Sequence, residues 1–200
     1  MAAQPPARTR RRESSRVAIL DATRELLGEV PYAKLTIESI AARAGVGKQT
    51  IYRWWESKGA VVLDALLAAS ENTDGTGLEL PDTGDLSRDL KVVLRATAAE
   101  FTDAAFTAPI RALMIEIIAD PALAALYREK LQQPTHDAVL TRLRSAVDAG
   151  QLRPDADLPL VIDLLYAPLT QRWLLHSHTL DDAFADALVD GVLHGFAPSA

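Results

Sequence analysis

The 200-residue sequence predicts an all-α fold, with a helix–turn–helix head at the N-terminus and a helical body behind it. Three observations predict this. Apolar residues recur at i, i+3, i+4 and i+7 along most of the chain, the spacing of one helix face, and no run alternates as a strand does. Helix starts and stops punctuate that pattern, among them Thr36, Gly45, Asp120-Pro121, Gly150 and Asp157-Leu158-Pro159. Apolar residues are 48% of the chain, enough to build a core rather than a disordered polymer.

Residues 1–14 are rich in Pro and Arg and lack apolar periodicity, so a disordered basic arm is expected there. Ser14 or Ser15 can cap a first helix near 16–29, with Ile19, Ala22, Leu26 and Leu27 on one face and Pro31 closing it. Thr36 is the N-cap of a second helix that buries Ile37, Ile40, Ala41 and Ala44. Gly45 follows the last of these, where a left-handed residue is cheap only without a Cβ, and Val46 plugs the corner. A third helix starts near Gly47 and buries Ile51 and Trp55, four apart. A fourth runs from Ser57 to about Glu71 with Val62, Ala65, Leu66 and Ala69 inward, which makes 15–71 the first domain. Residues 72–84 break every periodicity and read as an interdomain loop.

The second domain, 85–200, is helical throughout. Leu86, Leu90, Val93, Leu94, Thr97 and Phe101 form one stripe, and Ile110, Leu113, Met114 and Ile117 the next. Asp120-Pro121 starts a helix bearing Leu123, Leu126 and Tyr127. Pro134 is expected to separate it from a further helix ending at Gly150. Asp157-Leu158-Pro159 opens a long helix to about His176, with a kink expected at Pro168, and a last helix spans about Leu180–Gly195.

The head carries the chemistry. With Ile51 and Trp55 buried, the other face of the third helix presents Lys48, Gln49, Thr50, Tyr52 and Arg53, and no acid sits between Ser39 and Trp55. A helix–turn–helix places such a helix in the major groove of DNA. Lys48 and Gln49 lie in its first turn; Lys can donate to guanine and Gln can pair bidentately with adenine. Thr50 can touch a thymine methyl or a phosphate, and the Trp54 indole N–H can donate to a phosphate oxygen. Trp55 reads as core rather than ligand contact.

Thr36, Ile40-Ala41, Ala44-Gly45-Val46, Thr50-Ile51-Tyr52, Trp55 and Ser57-Lys58 resemble the DNA-binding domain of the tetracycline-repressor (TetR) family of bacterial regulators. Gly47 and Trp54 stand where that family often has Ser and His. The resemblance runs from Val17 to about Glu71 and implies phosphate contacts from Thr36, Tyr52 and Lys58. It also implies a ligand-responsive regulator, most often a repressor, whose homodimer sets two recognition helices in successive major grooves of a double-stranded operator, about 34–36 Å apart.

Charge and composition narrow the classes. The net charge of −6 hides an asymmetry: residues 1–60 hold 11 Lys and Arg against 6 Asp and Glu, and the rest 10 against 21. A basic head on an acidic body steers partners without fixing the fold. Arg8, Arg10, Arg11, Arg12 and Arg16 either follow a DNA backbone, enter a narrow minor groove or form a solvated tail. There is no cysteine, so no disulfide framework or thiolate site, and no apolar run nears the ~18 residues of a membrane span. The N-terminus lacks an apolar signal region. A cytoplasmic protein with no membrane partner is expected.

In the last helix Ala183, Ala187, Gly191 and Gly195 recur at four, and Phe184, Leu188, Val192 and Phe196 follow one residue on. Small residues admit a partner backbone and the large ones fill beside it. Mid-helix Gly costs roughly 1 kcal/mol against Ala unless close approach offsets it. Ala183, Phe184, Ala187, Leu188, Gly191, Val192 and Gly195 are the expected homodimer interface, the alternative being packing inside one subunit with Gly195 as a helix C-cap; the resemblance implies a four-helix dimer interface with the 160–175 helix as its other member. It also implies an effector pocket in the second domain, for which Phe101, Phe106, Met114, Ile117, Tyr127, Tyr166 and Trp173 are the bulky candidates. Arg172, with His136, can supply polar contacts to a small, mostly apolar effector. Each of these is alternatively a simple core residue.

His176-Ser177-His178 places two imidazoles at i, i+2, poor partners on one helix face, so no metal is expected. No nucleophile elbow, phosphate loop or HExxH occurs, so neither enzyme nor cofactor is expected. The alternative reading is a helical small-molecule-binding or catalytic protein with a vestigial DNA-binding head.

Overall fold

A computed structural model describes residues 7–74 and 80–198, except for the side chains of 7–11, 69–74 and 104–106. Every regular element among them is helical. The helices are α1 (Ala7–Glu29), α2 (Ile37–Arg43), α3 (Lys48–Tyr52), α4 (Lys58–Asp74), α5 (Leu86–Thr102), α6 (Ala104–Ala119), α7 (Pro121–Tyr127), α8 (Gln133–Asp148), α9 (Leu158–Leu175) and α10 (Asp182–Gly195).

The chain divides into two compact units. The first holds α1 to α4 together with Ala108–Arg128, and the second holds α5 and the chain from Glu129 onward. The break therefore does not follow the expected 72–84 loop alone. Most of α6 and all of α7 join the first unit because Leu113, Ile117 and Leu123 are buried in one core with Ile19, Ile40, Ile51 and Val61. Gly59 permits this packing: a Cβ there would stand 2.5 Å from Leu123 Cδ2 and 3.0 Å from Glu116 Oε2. Beside it the Tyr32 hydroxyl donates to Glu116 Oε2.

Residues 7–14 of the arm also differ from expectation, while 1–6 lie outside the described residues. α1 begins at Ala7, not near residue 16. Arginine is a good helix former, nothing after Pro6 breaks the chain, and Glu13 lies 3.6 Å from Arg16 one turn on. Pro134 does not interrupt the chain either. A π-helical turn, Arg128–Gln132, leads straight from α7 into α8, and Pro134 sits in the first turn of α8, where a missing N–H costs least. α9 holds Pro168 inside it and ends at His176, whose φ of 48° is left-handed.

The helix starts at Asp120 and Asp157 form as the sequence predicts, and a third acidic cap, Asp181, joins them. Asp120 accepts from Ala122 and Leu123 N–H, Asp157 from Leu160 N–H and Asp181 from Phe184 N–H. In the second unit α10 packs on α5 and α9, and α8 on α9, around Leu90, Leu94, Leu143, Leu165, Leu169 and Val189. One polar knot lies in this core. Arg142 Nη2 donates to Asp89 Oδ2 at 2.8 Å, both side chains being buried, and Arg142 Nε reaches Pro81 O at 3.1 Å. Thr83 adds its N–H and hydroxyl to the Asp89 carboxylate at 3.0 and 2.6 Å, fastening the bend before α5.

Candidate nucleic-acid interface

The head is set by local chemistry within α2, the turn and α3. Thr36 Oγ1 accepts from Ser39 N–H and Ser39 Oγ accepts from Thr36 N–H, each at 3.1 Å, so two otherwise unpaired donors at the start of α2 are satisfied reciprocally. Gly45 takes φ +66°, the left-handed stop that frees the chain to turn. Gly47 precedes α3 without a side-chain cap.

Ile51 is fully buried and Trp55 nearly so, which orients the short α3. Lys48, Gln49, Tyr52, Arg53 and Trp54 are exposed, and Thr50 is half-buried. Thus Lys48, Gln49, Thr50, Tyr52, Arg53 and Trp54 share one solvent-facing surface, with Thr36 exposed at the start of the preceding helix. Arg53 lies back along α3, with Nε 3.3 Å from Gln49 O and Nη2 3.3 Å from Thr50 Oγ1. The Trp54 and Trp55 rings are 6.2 Å apart and tilted by 44°.

Two partners of these residues were not legible in the sequence. Glu38 Oε1 sits 2.5 Å from Lys48 Nζ, linking α2 to α3; their hydrogen bond and charges lower the Glu38 carboxyl and raise the Lys48 ammonium from their ordinary values. Glu38 reads in sequence only as an acid in the first turn of a helix, which the dipole favours by itself. Lys58, at the first position of α4, is half-buried with Nζ 3.9 Å over the Tyr32 ring and 3.4 Å from Tyr32 O. Burial lowers its ionisation below the usual lysine range.

Behind the surface, Trp55 Nε1 donates to Asp64 on α4. Beside α3, Arg12, Ser15, Gly45, Val46, Thr50, Arg53 and Trp54 line an open groove of about 750 Å³. Arg12 enters it only because α1 extends further toward the N-terminus than periodicity indicated.

The pocket candidates fall into two sets. Met114, Ile117 and Tyr127 belong with the first unit's core. Phe101 and Tyr166 belong with the second, and the buried Trp173 ring stacks on that of Phe101 at 4.6 Å and 17°. The Phe106 side chain lies outside the described residues. Arg172 is turned to the loop and helix that follow α9, donating to Thr179 O at 2.9 Å with its guanidinium 3.4 Å from the Phe184 ring centre. Burial raises the Tyr127 hydroxyl and pushes that of Tyr166 up to about 12.

The rows of α10 separate cleanly. Ala183, Ala187, Gly191 and Gly195 are exposed. Phe184 and Leu188 are half-buried against the unit's own core, and Val192, with Phe196, is buried within it. Val192 is therefore buried within its own subunit, because its position one past Gly191 turns it from the exposed row. On α9, Leu160, Leu164 and Leu175 are 45%, 41% and 66% exposed, so a row of large apolar side chains accompanies the exposed small row.

Residues 19–65 match the family model described as bacterial regulatory proteins, tetR family, and residues 80–192 match the tetracyclin repressor-like C-terminal domain. Among curated relatives, the HTH-type transcriptional regulator YdeS of Bacillus subtilis is 33% identical over 186 residues, covering 92% of this chain and 91% of its own. The DNA-binding transcriptional repressor TetR of Mycobacteroides abscessus is also 33% identical, covering 92% and 94%. The crystal structure of the TetR family transcription regulator SCO0332 superposes with a TM-score of 0.76 at 38% identity, covering 92% of this chain and 99% of that one.

Proposed function

The chain belongs to the tetracycline-repressor family of helix–turn–helix transcriptional regulators, and we propose that it acts as a homodimeric repressor released from its operator by a small, mostly apolar effector. The observation that carries this reading is the division of α3. Ile51 and Trp55 lock one side into the core, and Lys48, Gln49, Tyr52, Arg53 and Trp54 are exposed on the other. Such a helix can enter a major groove, with Lys48 and Gln49 at base edges and Thr36, Thr50, Tyr52, Arg53, Trp54 and Lys58 on the flanking phosphates. Glu38 holds Lys48 in place and must yield it when a guanine is read.

Regulators of this family bind operators as dimers. The exposed rows Ala183, Ala187, Gly191 and Gly195 on α10 and Leu160, Leu164 and Leu175 on α9 support a second copy as the occupant of that face. Phe101, Tyr166 and Trp173 are our candidates for effector contact. The Tyr166 hydroxyl stays neutral at physiological pH and can give one oriented hydrogen bond in apolar surroundings. The effector lowers operator affinity only by its preference for the non-binding conformation. No helix among the described residues is long and apolar enough to cross a membrane. We assign the protein to the cytoplasm, where its DNA is, and give it no catalytic role. The intact reading face speaks against a vestigial head.

Selection of bound fragments from a random duplex pool tests this. An enriched two-fold symmetric site, bound less tightly when an apolar ligand raises the melting temperature, is expected. A pool with no enriched sequence sinks the operator reading.

A further inference from the structure

We propose that the N-terminal extension of α1 forms, with the flank of α3, a second phosphate-binding wall in which Arg12 and Arg53 seat one DNA strand. The inference rests on the reading of α3 as the major-groove helix. It goes further by assigning a site to residues outside the helix–turn–helix.

Three observations meet here. First, the arginines are carried on a helix. α1 is continuous from Ala7 to Glu29 and is anchored by the buried Ile19, Leu20, Ala22 and Leu26, so Arg12 holds a fixed register to the head. Second, the face is selective. Arg12 and Ser15, three apart on α1 and so on one helix face, line the groove. Arg16 belongs elsewhere, 3.6 Å from Asp64. Third, the groove is chemically one-sided. Arg12 and Ser15 face it from α1, and Thr50, Arg53 and Trp54 from α3, with Gly45 and Val46 completing the lining and no carboxylate among the lining residues.

Two guanidinium forks, two hydroxyls and an indole N–H are donors matched to phosphodiester oxygens. Arg53 is partly ordered already by Gln49 O and Thr50 Oγ1, so less freedom is lost when it takes a phosphate. The strand bordering a major groove filled by α3 has to pass along this flank. The wall carries no base-edge geometry, so it contributes affinity and placement but no sequence preference.

The test uses the full-length dimer, its selected operator and a random-sequence duplex. Binding is measured across a salt series for wild type, Arg12→Gln, Arg12→Lys, Arg53→Gln and, as a charge control, the exposed Arg88→Gln. Each lost phosphate contact should remove about 0.9 from the slope of log K against log salt, so Arg12→Gln should remove about 1.8 from a two-headed complex. Operator and random duplex should weaken by the same factor, Arg12→Lys should keep the slope, and Arg88→Gln should change nothing. Circular dichroism melting confirms that each variant is folded. An Arg12→Gln slope equal to wild type, or equal slope losses in Arg12→Gln and Arg88→Gln, overturns the wall and leaves the α3 reading intact. Wild-type protein that binds neither duplex overturns both.

Discussion

Trp55 donates its indole N–H to Asp64 Oδ2 over 2.8 Å, and Arg16 Nη2 lies 3.6 Å from the same oxygen. Two helices and the turn after α3 thus meet at one buried carboxylate: α1 through Arg16, α4 through Asp64, and the turn through Trp55, three residues past the end of α3. The reading helix has only five residues and cannot hold its own orientation. Its aim is set by Ile51 in the core and by this hydrogen bond just beyond its end.

Replacing Asp64 with Ala should therefore leave a buried indole donor unsatisfied, at a cost of about 1–3 kcal/mol. In a chain of this size that lowers the melting temperature by roughly 2–4 °C per kcal/mol. Operator binding measured well below the melting point should fall as well, since α3 loses its tether. A variant with wild-type melting and wild-type affinity would show that the bond carries no weight.

Base reading and phosphate holding separate by substitution. Lys48→Ala and Gln49→Ala should change which sequences are selected, by about 1–3 kcal/mol at the base concerned. Lys58→Ala should weaken every sequence alike and flatten the salt dependence by about one counterion per head. Glu38→Gln should tighten binding to DNA, because it removes the carboxylate 2.5 Å from Lys48 and an acid from the interface. Selected pools identical to wild type for both Lys48→Ala and Gln49→Ala would remove the base-reading assignment.

Gly191 has no heavy atom within 4 Å of where a Cβ would stand, so the subunit has room for a larger side chain there. Gly191→Leu should accordingly keep its far-ultraviolet helix signal and lose the dimer by overpacking between copies. Sedimentation should show a folded monomer. Operator affinity should drop steeply with the loss of the second head's effective concentration. A folded, fully dimeric variant moves the interface elsewhere.

The Asp89–Arg142 pair predicts an acid limb of stability. Burial opposes ionisation of Asp89, but the Thr83 donors and the Arg142 guanidinium outweigh it and hold the carboxyl below its ordinary value. The folded chain then binds this proton less readily than the unfolded chain. The stabilisation is complete above the ordinary carboxylate value of about 3.9 and is lost as pH falls through the lower folded value. Urea midpoints at descending pH should fall less steeply in Asp89→Asn than in wild type. Arg142→Ala should cost about 3–5 kcal/mol at neutral pH by stranding the buried carboxylate. Identical acid slopes for wild type and Asp89→Asn would refute the assignment.

What the sequence disclosed was mostly local. Thr36, Asp120, Asp157 and Gly45 were readable because a cap or a left-handed stop is settled within three or four residues. Ile51 and Trp55 were readable because four-residue spacing fixes a helix face. That same spacing says a residue is buried but not against what, so it does not separate Met114 and Ile117, which join the core of α1 and α4, from Phe101 and Trp173. The start of α1 escaped because an all-polar helix has no apolar period to betray it. Asp89 and Arg142 are separated by 53 positions, and no pattern along a single chain links charges that far apart.

The membership of Ala108–Arg128 in the first unit governs how this protein can be recombined with its relatives. A fragment cut after α4 would carry the whole reading surface yet lack Leu113, Ile117 and Leu123, leaving an apolar scar on α4 and an empty notch at Gly59. Grafting another relative's helix–turn–helix onto this helical body is consequently a two-segment transplant, in which the donor's counterpart of α6 and α7 has to travel with it.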